Sequence, residues 1–168
     1  MRTSPTVVLP LLLALSLAAC SGDEPAETRA PGPAGPAFEI AVTGGCGDAF
    51  FWAADADGSQ VIQVYVEQRD RPAKQPTSLE ITLPDPTVTA TLQSGEDLTG
   101  NQCNDLVTGR VSGEQEIVEG SGTMTLDPPS SDPGLVGGTL AMTGLVAKDG
   151  TVLPDLTIET DTIGFYAG

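Results

Sequence analysis

The chain reads as an all-β protein: an antiparallel β-sandwich or barrel-like sheet of about 8–10 short strands, preceded by a signal peptide and a disordered tether. Three observations predict this class. From Phe38 onward, short apolar alternations are separated by clusters of Gly, Pro and Asp, the residues that make turns. Thr and Val, whose branched side chains suit a pleated surface, are enriched. No window of about 11 residues keeps a helical apolar period free of Gly or Pro, so no helix is expected.

In chain order, residues 38–43 alternate strictly through Phe38, Ile40 and Val42 and predict a strand. Gly44, Gly45 and Gly47 predict a flexible turn around Cys46 and Asp48. Residues 49–54 form an aromatic strand, Asp57-Gly58 marks a hairpin turn, and residues 61–67 return as a β-branched strand. Residues 69–76 are a polar loop with Arg69, Arg71 and Lys74. Strands follow at 78–83 and 87–92, joined through Pro84-Asp85-Pro86, and a long polar loop over 94–105 holds Cys103. Weaker strands are expected at 107–111, 115–118 and 122–126, interrupted by Ser112-Gly113. Residues 127–134, rich in Pro, cannot be regular. Strands at 139–146, 156–160 and 163–166 complete the chain, with a turn at Lys148-Asp149-Gly150.

The first residues have a different character. Arg2 precedes an apolar run from Val7 to Leu17, too short to cross a hydrocarbon core that needs roughly 20 helical residues. It fits the apolar region of a secretory signal. The run ends in Leu17-Ala18-Ala19-Cys20, which resembles the lipobox of bacterial lipoproteins: an apolar residue, two small ones and a cysteine. That resemblance covers the first twenty residues and implies diacylglycerol on Cys20 and removal of residues 1–19. An ordinary secretory signal with an adventitious cysteine is the alternative. Residues 20–37 hold Pro25, Pro31, Pro33 and Pro36 and no large apolar side chain, so they read as a spacer. Residues 38–168 are then one β domain, outside the cell and anchored to the membrane through its lipid.

Charge and composition narrow the function. The whole chain carries 7 basic and 23 acidic residues, net −16; losing Arg2 with the signal leaves 6 against 23, or −17. Such a surface repels nucleic acid and anionic lipid heads, so no nucleic-acid partner is expected. There is no histidine. Its absence removes the commonest proton shuttle, the Ser-His-Asp triad and histidine-ligated metals. With Cys20 lipidated, Cys46 and Cys103 remain, and an even pair in an exported protein predicts a disulfide. A free catalytic thiol is the rival reading, disfavoured by the acidic neighbours Asp48 and Asp105.

Two constellations carry candidate sites. Asp55-Ala56-Asp57-Gly58 resembles the opening of a calcium loop, but Val66 stands where the closing glutamate belongs, so a hairpin turn is the better account. Phe50, Phe51 and Trp52 offer a ligand platform for a sugar or a cation, against a core-packing role. Alternation forbids Phe50 and Phe51 from both pointing inward and puts Trp52 on the side of Phe50. No catalytic residue, metal or cofactor site is identified, and the balance leans away from an enzyme. The expected function is a lipid-anchored cell-envelope module that binds or scaffolds a protein partner or ligand. The alternatives are a carboxylate-based hydrolase of envelope glycans and a carrier of a small ligand or Ca²⁺.

Overall fold

A computed structural model describes residues 38–67, 77–128 and 135–164, all within one compact unit, Gly35–Gly168. The expected signal and tether with Cys20, the loop cations Arg69, Arg71 and Lys74, and Phe165 and Tyr166 lie outside the described residues.

Eight antiparallel strands form a single, nearly closed barrel-like sheet. They are β1 (Val42–Cys46), β2 (Phe50–Ala54), β3 (Gln60–Val66), β4 (Thr77–Leu83), β5 (Val88–Glu96), β6 (Arg110–Leu126), β7 (Val136–Ala147) and β8 (Leu156–Ile163). The hydrogen-bonded order is β1-β2-β3-β5-β6-β7-β8, with β4 attached to β6. The first part of β6 pairs with β5 and its second part with β4 and β7, so one long strand joins the two halves of this sheet, called the first and second sheets. The first sheet is β1-β2-β3-β5 with the start of β6; the second is β4, the rest of β6, β7 and β8. At the seam, the Gly164 N–H donates to the Gly47 carbonyl (2.6 Å) and the Thr162 hydroxyl to the Gly45 carbonyl (2.6 Å). These two bonds bring β8 against β1 and nearly complete the ring.

Three expectations change. The first strand is displaced from 38–43 to Val42–Cys46, taking in both glycines assigned to a turn. Packing is the reason: a Cβ on Gly44 would lie 2.8 Å from the Trp52 ring, so only glycine lets that indole lie flat on β1. The three weak strands expected over 107–126 become one 17-residue strand, Arg110–Leu126, and residues 107–109 stay in the loop before it. Its register shifts around Glu119, and Gly144 on the facing strand takes a left-handed φ of 65°, so bulges bend the pair without breaking it. The strand expected at 156–160 runs on to Ile163 as β8.

The interior is filled by side chains from both sheets. Phe51, Ile62, Val64 and Ala90 from the first meet Met124, Leu140, Met142 and Ile158 from the second, all buried. The Phe51 ring reaches across to β7, where its Cζ lies 3.2 Å from the place a Cβ would take on Gly138. Phe38 and Ile40, ahead of β1, pack against the same core.

Candidate functional site

Cross-strand register sorts the aromatic run. Opposed residues of antiparallel strands point to the same face. Phe51, Val64 and Ala90 form one inward row, which gives Phe51 to the core. Cys46, Phe50, Tyr65 and Thr89 form an outward row, and Gly44, Trp52, Gln63, Thr91 and Glu116 form the next. A third outward row runs through Ala54, Val61, Gln93 and Glu114. The outer face of the first sheet thus displays Phe50, Trp52 and Tyr65 together. Tyr65 is absent from the platform read in the sequence; its place in an alternating strand, opposite the aromatic run, was the available signal.

A folded loop covers part of this face. The polar segment after β5 contains a one-turn 3-10 helix, Leu98–Asn101, whose Leu98 is fully buried in a small outer cluster with Ala54, Val61 and Trp52. The Leu98 N–H donates to the Gly58 carbonyl (2.9 Å), tying the loop to the hairpin turn. The Gln102 amide donates to the Leu98 carbonyl (2.9 Å), and its oxygen accepts from Gln63 (2.9 Å). Asn101 gathers the returning chain, accepting from the N–H groups of Thr108 (2.9 Å) and Gly109 (2.7 Å). Cys103 is bonded to Cys46, and both Cys103 and Asp97 hold a left-handed φ of 53°. Such backbone is uncommon outside glycine and costs energy that the surrounding contacts must offset. Beyond Cys103, Leu106 and Val107 stand 70% and 80% exposed at the tip.

Trp52 has one further property. Its indole N–H is buried and meets no acceptor among the described residues. A buried donor without a partner costs about 1–3 kcal/mol.

Asp55 and Asp57 sit apart from this face in the β2–β3 turn. Asp55 accepts from the Ser59 hydroxyl (2.6 Å) and the Gln60 N–H (3.1 Å), and Asp57 from the Ser59 N–H (3.1 Å). The Ser59 side chain and then its N–H hold the Asp57 carboxyl below the usual carboxylate range. Both acids are engaged in closing the turn. Among the described residues, no group of three or more His, Cys, Asp or Glu is arranged to hold a metal ion. Melting of the mature chain is accordingly expected at the same temperature in Ca²⁺ and in chelator. A rise with Ca²⁺ that Asp57→Asn abolishes would restore the calcium reading.

A surface groove of about 430 Å³ lies on the second sheet, lined by Asp127, Glu159 and Asp161 with Gly137, Gly138 and Thr139. The Asp57, Asp85 and Asp149 carboxyls are held below the usual carboxylate range. Gln115 donates to Asp149 and Thr87 to Asp85, as Ser59 does to Asp57. No protein-family model, curated protein or solved structure matches the chain.

Proposed function

We propose that the protein is a lipid-anchored, extracytoplasmic binding module, held to the membrane through Cys20, that engages another envelope component with the outer face of its first sheet. The anchor rests on Leu17-Ala18-Ala19-Cys20 and the spacer on the Pro-rich stretch behind it. A disulfide suits an oxidising compartment and supports export. The barrel interior is packed with side chains, which directs binding to its outside.

The observation that carries the reading is the display of Phe50, Trp52 and Tyr65 on one outer face beside a pinned loop with an apolar tip. Aromatic side chains offer large contact area at low conformational cost and concentrate where proteins bind. A loop fixed by a disulfide and by Asn101 pays little ordering entropy on binding.

The test is chemical crosslinking on intact cells with three forms: wild type, Cys20→Ser, and Phe50→Ala/Tyr65→Ala. Wild type is expected to carry acyl label and capture a recurrent partner. Cys20→Ser should lose the label and the partner, and the double variant should keep the label and lose the partner. Capture by the double variant at the wild-type level would move the contact off this face.

The groove with Asp127, Glu159 and Asp161 favours the rival reading, a carboxylate-based glycan hydrolase. That reading requires product release from envelope glycan that Glu159→Gln or Asp161→Asn abolishes.

A further inference from the structure

We infer that the partner of this face is cationic: a Lys- or Arg-bearing protein segment with interspersed apolar side chains, lying across β2, β3, β5 and β6. The inference rests on the reading that this outer face is the contact surface, and it adds the chemistry of what binds there.

Register gives the face two halves. Phe50, Trp52 and Tyr65 occupy β2 and β3. Continuing the same rows outward, Thr89, Thr91 and Gln93 on β5 lead to Glu116 and Glu114 on β6. Both glutamates are exposed. Glu114 accepts from the Gln93 amide (2.7 Å) and Glu116 faces Lys148 at 3.6 Å. An exposed ion pair of this kind contributes roughly 0–1 kcal/mol, so an incoming cation can exchange against Lys148.

Charge on the rest of the body points the same way. The described residues include two cations, Arg110 and Lys148, and each already faces a glutamate, Glu96 or Glu116. Among the described residues 18 acids stand against these two cations, placed in β4, β5, β6, β8 and the connecting segments, with none in β1, β2, β3 or β7. A field of that sign raises the encounter rate of a basic partner and repels anionic ones. It equally disfavours a second copy of this chain, which would bring −17 against −17. The aromatic half does not break the pattern, because ring faces attract Lys and Arg as well as burying apolar area. A neutral glycan could stack on these rings and donate its hydroxyls to the glutamates, but it would gain nothing from the surrounding negative field. The basic segment accounts for both halves.

The mature chain carries its own reporter, since Trp52 is the only tryptophan. Unacylated mature protein (Cys20→Ser) is titrated with a synthetic ten-residue Lys-Leu peptide, its Gln-Leu counterpart, and a neutral β-glucan hexasaccharide. The expected result is a saturable change in Trp52 emission with Lys-Leu and none with Gln-Leu. Affinity should fall about tenfold in Glu114→Gln/Glu116→Gln. It should fall at least as far between roughly 50 and 300 mM salt. Glu159→Gln/Asp161→Asn, on the other sheet, should bind as wild type does. An equal loss in that distal variant would reduce the effect to overall charge and overturn the inference. Hexasaccharide binding without salt dependence, lost in Tyr65→Ala, would keep the contact face and overturn its cationic chemistry. If no probe is sensitive to Tyr65→Ala or to the glutamate pair, the inference and the reading beneath it fall together.

Discussion

Phe51→Ala is expected to destabilise the mature chain by about 3–5 kcal/mol, the cost of emptying a filled aromatic site in a packed core. Phe51 is fully buried, and its ring spans the space between the two sheets to reach Gly138. Domains of this size are stable by roughly 5–15 kcal/mol, so the variant should sit near its folding threshold. Trp52→Ala should cost clearly less, about 1–2 kcal/mol, because the indole is only partly buried. Urea unfolding followed by circular dichroism separates the two. A larger loss for Trp52→Ala than for Phe51→Ala would reverse the assignment of inner and outer faces.

The second large effect is expected from the disulfide. Cys46 and Cys103 are separated by 57 residues, a closed loop worth about 4 kcal/mol by restriction of the unfolded chain. Cys46→Ser/Cys103→Ser should lower the melting temperature by roughly 10–15 °C. It should also release the loop from the outer face, since Cys103 joins it to β1. Calorimetry with and without reductant measures the first effect. Protease cleavage confined to residues 102–109 in the reduced form measures the second. An unchanged melting temperature on complete reduction would contradict the unfolded-state argument. The two sites belong together: Phe51 sets the core side of β2, and the bridge organises the opposite side.

Much of this architecture was legible in the sequence, because local pattern and final packing agree there. The hairpin from Phe50 to Val66 follows from alternation and a turn at Asp57-Gly58. The division of Phe50 from Phe51 follows from a period of two. What was not legible depends on distant partners. Glycine reads as punctuation, yet Gly44 and Gly45 lie within β1 because an indole packs on one and β2 pairs with both. Gly113, Gly120 and Gly122 likewise lie inside β6, where bulges and neighbouring strands keep the ladder continuous. The segment after β5 looked like a polar loop, and its composition concealed a cap. Leu98 is buried while Leu106 and Val107 of the same segment stay exposed, and its pocket is made by Ala54 and Val61, more than thirty positions upstream. The outer face was legible only within the β2–β3 hairpin, for the same reason. Its rows join residues from five strands, and register between strands far apart in sequence is not written locally.

The central claim is that the outer face of the first sheet is where this protein meets its partner. Site-specific photo-crosslinking on living cells tests it most directly, with the photoreactive residue placed in turn at Tyr65, Leu106 and Glu159. Adducts of one common mass from positions 65 and 106, and none from 159, are the predicted result. Adducts from 159 alone would place the contact on the second sheet, beside the acidic groove, and contradict the account.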